Sequence, residues 1–170
     1  MHMKNTLSFL RKTGELKNIK RQGILYYGFK NADTATDHTF RLALMVWIFG
    51  NRRKLNLNKA FKLAFVHDLC KVYTGDITPY EGLIAKGDKD GHKLAWRWRR
   101  LTIAEKKRRF KRKFKKEKSA IQKLVKNLPQ ELKKDIMDTW LEYQECHSAE
   151  AKFVFQLDRI ENLIEAFECQ

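Results

Sequence analysis

His67 and Asp68 sit side by side at the end of an apolar stretch, LNKAFKLAFV. Both side chains can bind a divalent metal. A further histidine, His38, lies 29 positions before His67, and an aspartate, Asp158, lies 90 positions after Asp68. Mixed imidazole and carboxylate ligands suit Mn, Fe, Co, Ni or Zn better than Ca. A metal held by a few fixed ligands leaves positions for water and for a phosphate oxygen. It lowers the pKa of the water and neutralises developing charge, which is what phosphoester hydrolysis needs. Buried ionisable groups are costly unless paired or metal-bound, and these four fall beside segments rich in Leu, Phe and Val. A plainer reading stands beside this one. A lone His on an apolar helix is more often a hydrogen-bonded residue than a ligand. Asp37-His38 can be an ordinary helix start, and Asp158 a surface acid paired with Arg159 or Lys152.

The elements that would position these residues are all helical. Proline is scarce, with two residues, and glycine is sparse, a composition that favours helices. TLSFLRKTGELKNI pairs Leu7 with Leu10 and Leu16 with Ile19, and predicts a helix interrupted at Gly14. RQGILYYGFKNADTATD reads as an irregular connection. Thr34, Thr36 and Asp37 offer N-cap oxygens ahead of HTFRLALMVWIFG. That segment is apolar nearly all round and predicts a buried central helix, ended at Gly50-Asn51. A second helix is expected from about Asn58 to Val72, broken by Gly75, with DITPYEGLIAKGDKDG as a loop. A long basic helix from about Trp96 follows, then QELKKDIMDTWLEYQE and AEAKFVFQLDRIENLIEAFE. The last carries Phe153, Leu157, Ile160, Ile164 and Phe167 at steps of 4 and 3, one predicted apolar stripe. No strand alternation and no internal repeat is visible. The fold class is all-α.

A chain of 170 residues fits one domain with a real core. No apolar run reaches the ~18 residues that span a bilayer, and the N-terminal MHMKNTLSFLRKTG lacks the apolar region of a secretory signal. Cys70, Cys146 and Cys169 are odd in number and have no CxxC spacing. A reduced, cytoplasmic setting is the expectation. The chain ends abruptly after AFECQ, which leaves room for a natural continuation.

The net charge of +16 is concentrated. Between Lys93 and Lys118 there are 14 basic and 2 acidic residues, and KKRRFKRKFKKEK holds ten basic residues in thirteen. Phe110 and Phe114 lie one turn apart within it, and upstream Trp96 and Trp98 alternate with Arg97 and Arg99. This composition suits nonspecific binding of polyanions, with counterion release as the driving force. It equally suits an anionic membrane surface, or attraction of anionic nucleotides toward a site. The plain alternative is a solvated helix whose two Phe residues pack on the core.

Three blocks, DTATDHTFRLALM, HDLCKVYTGDITP and WLEYQECHSAEAKFVFQLDRIENLIEAFE, resemble the signatures of the HD-domain metal-dependent phosphohydrolases, in the branch of the 5′-deoxynucleotidases. The resemblance runs from about Leu7 to the last residue and is weakest across the basic segment. It implies one HD domain over 1–170, a helical bundle with the basic segment at about 93–118. It implies hydrolysis of (deoxy)nucleoside 5′-monophosphates to nucleoside and phosphate, one divalent transition metal (Mn, Co, Fe, Ni or Zn), and a homodimer. By position, the family's metal ligands fall on His38, His67, Asp68 and Asp158. Its acid for water or leaving group falls on Asp76, its phosphate-contacting Arg on Arg21, and a nucleotide-positioning hydroxyl on Thr34.

The chain departs from the pattern at Lys71, where the family carries Glu. Lys71 is i+4 from His67 and i+3 from Asp68, on the same helical face. A charged lysine cannot take a proton, and it disfavours a nearby cation. It can clamp a substrate phosphate. It can pair with Asp68 or Asp76 in place of a metal, or it can turn its stem to solvent. Weakened catalysis is the first expectation. The alternative function is a catalytically degenerate HD-fold protein that binds nucleotide or nucleic acid through its basic segment.

Overall fold

The computed structural model describes residues 2–26, 29, 31–81 and 101–168. Among the described residues every regular element is helical, and the β feature is an isolated antiparallel bridge between Lys20 and Thr34. The helices are α1 (His2–Thr13), α2 (Gln22–Leu25), α3 (Ala35–Gly50), α4 (Leu57–Val66), α5 (Lys71–Thr74), α6 (Ile103–Val125), α7 (Gln130–Glu145) and α8 (Ala149–Glu168), with a 3-10 turn at Gly14–Asn18. The all-α expectation holds. None of the described helices is long and apolar enough to cross a membrane.

Among the described residues two groups of apolar side chains form the core. One gathers Leu16, Val66, Val72, Ile121, Leu124, Val125 and Trp140 from the 3-10 turn and α4 to α7. The other gathers Leu42, Val46, Leu63, Ala64, Phe153, Val154 and Leu157 from α3, α4 and α8. Helix α4 contributes to both, so its C-terminal end emerges where the two groups meet. α3, α4 and α8 pack on one another, and α6 closes over α5 and α7.

Local chemistry sets the boundaries. Thr34 caps α3 through a reciprocal pair: its Oγ1 accepts from the Asp37 amide, and Asp37 accepts from the Thr34 amide. Thr102 and Glu105 repeat the device at the start of α6. The basic helix therefore begins at Ile103, later than its composition suggested, while residues 82–100, including Trp96, Arg97, Trp98 and Arg99, lie outside the described residues, as does Cys169. Within α6 the two Phe residues part ways. Phe114 stacks on Trp140 with ring centroids 5.6 Å apart, and Phe110 stays exposed.

Four expectations are corrected. First, the helix predicted from Asn58 to Val72 is not continuous. α4 ends at Val66, and the chain tightens into i→i−3 hydrogen bonds, Leu69 N to Val66 O at 3.2 Å and Lys71 N to Asp68 O at 3.0 Å, before α5. In that geometry residues three apart eclipse, which stacks Lys71 over Asp68. Second, α3 is not buried all round. Its Ala35, His38, Leu42, Val46 face is buried against α4 and α8, whereas Phe40, Trp47, Ile48 and Phe49 are exposed. Third, the stripe on α8 holds only as far as Leu157. Beyond it Ile160, Ile164 and Phe167 are exposed and the buried positions are Glu161 and Glu165, whose carboxylates meet His38, Arg21 and Arg41. Fourth, the connection after Lys20 is not wholly irregular, because it contains α2.

Gly75 ends α5 at φ 66°, ψ −174°, a region that side chains with a Cβ rarely adopt. This turn sends the chain back so that Asp76 faces Lys71 at 2.7 Å. Gly75→Ala should therefore cost about 1–3 kcal/mol of stability, read as a shift in the urea midpoint at unchanged slope. An unshifted midpoint would mean that the turn tolerates a side chain.

Candidate metal centre

Each of the two histidines has one ring nitrogen committed by the protein. His67 Nδ1 meets the Ala64 carbonyl at 2.7 Å. A carbonyl can only accept, so Nδ1 carries the proton and Nε2 keeps its lone pair. His38 Nδ1 is held by Glu161 Oε2, which likewise leaves His38 Nε2 facing inward. The two Nε2 atoms then stand 3.2 Å apart. Two nitrogen lone pairs at that distance need a cation or a proton between them. Asp158 Oδ1 lies 3.2 Å from His38 Nε2, and the ligand atoms of His38, His67 and Asp158 all fall within 4.8 Å of one another. An imidazole fixed by a carboxylate or carbonyl on its far nitrogen is a recurrent feature of metal sites, and two imidazoles with a carboxylate suit a first-row transition metal. The residues present fit a divalent ion.

The electrostatics run the same way. Burial disfavours imidazolium at His38, but hydrogen bonds to Asp158 and Glu161 outweigh it and hold its pKa above the ordinary value. Burial alone would raise Asp158, yet the hydrogen bond from His38 holds its carboxyl below the usual range. A cation entering here displaces a proton and gains a carboxylate that is already ionised. The Tyr143 hydroxyl donates to Asp158 Oδ2 at 2.8 Å and the Asn162 amide to Oδ1 at 3.2 Å, which orient that carboxylate.

Asp68 stands apart from the group of three. Its Oδ2 lies 3.3 Å from His67 Nε2 but accepts a 2.6 Å hydrogen bond from Lys71 Nζ. Lys71 Nζ also lies 2.7 Å from Asp76 Oδ1. The lysine is buried, so its stem does not turn to solvent, and burial that would discharge it is outweighed by Asp68 and Asp76, which raise its pKa. Burial would likewise raise Asp68, but His67 and Lys71 hold it well below the usual carboxylate range. Asp76 is engaged at both oxygens, its Oδ2 accepting from the Gln22 backbone N–H at 2.7 Å.

His67, Asp68, Lys71, Asp76 and Asp158 line a cavity of about 580 Å³, with His38 buried behind its wall. Arg21 is on its wall, buried, bonded to Asn162 and beside Glu165, with its Nη1 buried and without a partner. Thr34 is not on that wall; its hydroxyl is turned to Asp37. The sequence reading omitted Glu161, Asn162 and Tyr143. The first two were visible as the i+3 and i+4 neighbours of Asp158, with Glu165 at i+7, a polar stripe inside an apolar helix. It also omitted Glu117, a buried acid on α6 bonded to Lys113 at 2.5 Å, whose pKa burial raises.

Residues 13–170 match the family described as HD domain, and the chain belongs to that family. It is 33% identical over 165 residues to the 5′-deoxynucleotidase HDDC2 of Xenopus laevis, covering 97% of this chain and 69% of that protein. It is 32% identical to the Homo sapiens protein of the same name, covering 97% and 68%. Among solved structures, a predicted metal-dependent phosphohydrolase from Magnetospirillum magnetotacticum MS-1 superposes with a TM-score of 0.69 at 20% identity, over 99% of this chain and 74% of that one.

Lys71 places a positive charge on Asp68 and Asp76, beside the group of three. Unit charges about 4 Å apart interact by about 4 kcal/mol at an effective dielectric of about 20, so Lys71→Glu should tighten Mn or Co binding by well over about tenfold. Lys71→Ala should tighten it less. Titration calorimetry with metal-stripped protein reads both, and equal affinity in all three proteins would show that the lysine does not compete with the ion.

Proposed function

We propose that this chain is a metal-dependent phosphohydrolase that converts (deoxy)nucleoside 5′-monophosphates to nucleoside and inorganic phosphate. The observation that carries the reading is the convergence of two imidazole Nε2 atoms, each with its Nδ1 committed, on Asp158 beside an unpartnered Arg21 guanidinium nitrogen. The naming of similar proteins as 5′-deoxynucleotidases supports the substrate class.

In this reading His38, His67 and Asp158 would hold one divalent ion, and Asp68 would be a fourth ligand if Lys71 released it. Such an ion, when bound, would supply Lewis acidity toward water and phosphoryl oxygens. Arg21 Nη1 donates to a phosphate oxygen. Asp76 takes the proton of the attacking water or returns one to the leaving 5′ oxygen. Lys71, freed from its carboxylates, meets the phosphate as a point cation. Thr34 acts through its cap, which fixes where α3 begins and so where His38 points. Phe110 and Phe155 on the cavity wall offer apolar faces to the base.

Three further parts belong to this proposal. The chain is one HD domain over 1–170. The exposed apolar residues of α3, Phe40, Trp47 and Ile48, and of the adjoining α8, Ile160, Ile164 and Phe167, form the interface of a homodimer, an arrangement in which such surface is covered. The basic 93–118 segment attracts polyanions without sequence preference, and the free thiols Cys70 and Cys146 suit a cytoplasmic setting.

A second reading is favoured by one contact. Lys71 lies where it neutralises Asp68 and Asp76, which describes a nucleotide-binding protein that has lost its ion. Metal content separates the two. The hydrolase should retain, or regain from Mn, Co, Ni, Fe or Zn, about one ion per chain and release phosphate from deoxynucleoside monophosphates. Asp76→Asn should lower turnover by about 10²–10⁴-fold, and His38→Ala should abolish metal retention. Failure to load any of the five metals would favour the degenerate protein.

A further inference from the structure

A second cleft, of about 700 Å³, adjoins the metal cavity. The two share Ile77, Thr78, Pro79 and Lys113 as walls. One side of the second cleft is the loop after Gly75, and the other is α6, which contributes Arg108, Arg109, Arg112, Lys113 and Lys116. Among the described residues its single acid is Glu81. Arg109 builds the cleft by donating from Nη1 to the carbonyls of Pro79 at 3.2 Å and Glu81 at 3.0 Å, which ties loop to helix. Lys113 is paired with Glu117. Among the described residues Arg108, Arg112 and Lys116 have no acidic partner. They are spaced four apart, so they follow one another along a single face of α6 over about 12 Å at ~1.5 Å per residue.

Three cations unpaired among the described residues, lining a concave wall with one described acid opposite, are poised for an anion. The run is longer than one phosphate group. The metal cavity, in the function proposed above, takes a nucleotide by its 5′ phosphate, and in a deoxynucleotide the other sugar oxygen that can carry phosphate is the 3′ oxygen. We propose that the cleft binds phosphate on the 3′ side of the nucleotide held at the metal centre. The protein then accepts nucleotides with a 3′ phosphate ester, either a 3′,5′-bisphosphate or the 5′-phosphorylated end of a single strand. In the hydrolysis, water oxygen bonds to the 5′ phosphorus and the P–O5′ bond breaks. The 5′ oxygen takes a proton, and inorganic phosphate leaves. The 3′ ester is untouched. The inference rests on the proposed reaction for the direction of the nucleotide and adds what recognises its far side.

The test uses the full chain stripped of metal, so that no ligand is consumed. Affinities are compared by calorimetry at low ionic strength for a deoxynucleoside 5′-monophosphate, the matching 3′,5′-bisphosphate, a 5′-phosphorylated deoxytetranucleotide and the same tetranucleotide without its 5′ phosphate. The bisphosphate should bind at least about tenfold more tightly than the monophosphate, the worth of roughly one charge-assisted hydrogen bond. A combined Arg108→Ala, Arg112→Ala, Lys116→Ala variant should lose that gain and keep the monophosphate affinity. A tetranucleotide that binds more tightly still shows that the stripe follows a phosphodiester backbone, and one equal to the bisphosphate shows that a single 3′ phosphate is the recognised group. Equal affinity for monophosphate and bisphosphate overturns the proposal. So does a tetranucleotide that binds equally well without its 5′ phosphate, or a variant that loses monophosphate to the same degree. Phosphate release with added metal is measured in parallel. A 3′ gain that persists without any release leaves the subsite standing and removes the proposed reaction.

Discussion

Everything in the centre of this molecule depends on how two imidazole rings are held. Neither His38 nor His67 is free to choose its tautomer. A carboxylate from α8 fixes one and a carbonyl from the preceding turn of α4 fixes the other. Both fixing groups are themselves buried among helices whose packing is apolar. The close approach of the two inward nitrogens is thus imposed from outside the centre, by the way α3, α4 and α8 lock together. Helix packing sets the distance, hydrogen bonds set the direction, and a positive charge is what the arrangement lacks.

Lys71 answers that lack from within the chain. An ammonium is a compact point charge. It sits on the carboxylate side of the centre, between Asp68 and Asp76, and not between the imidazoles. The centre is divided in consequence: a nitrogen-rich half open to an ion, and an oxygen-rich half already neutralised. Burial makes the division matter, because charges in this cavity are poorly screened and each must be compensated locally. The tightening of the chain after Val66 draws the two together, since residue 71 there eclipses residue 68, whereas a continued α-helix would have set it about 60° round the axis.

Much of this was legible beforehand, and the exceptions share a cause. The four polar residues near apolar helices, the cap at Thr34 and the long basic helix follow from side-chain type and short-range spacing, and the structure contains them as such. The break after Val66 was not legible, because LNKAFKLAFVHDLCKV has no residue that forbids a helix. The rotation of α8 was missed because period counting credits apolar residues and ignores Glu161 and Glu165, which are buried only through partners distant in sequence. The exposed side of α3 was missed because an apolar composition does not say whether a neighbour exists to cover it. The departure at Lys71 was plain in sequence, yet its choice among three roles needed coordinates.

The hydrogen bond from the Gln22 amide to Asp76 has an evolutionary consequence. Its donor is main chain, so no exchange of the side chain at position 22, other than to proline, removes it. The orientation of the acid is insulated from drift in α2, whereas its partner on the other oxygen, a lysine side chain, can be lost by a single substitution. Selection can therefore retune the charge around Asp76 repeatedly while the carboxylate keeps its aim.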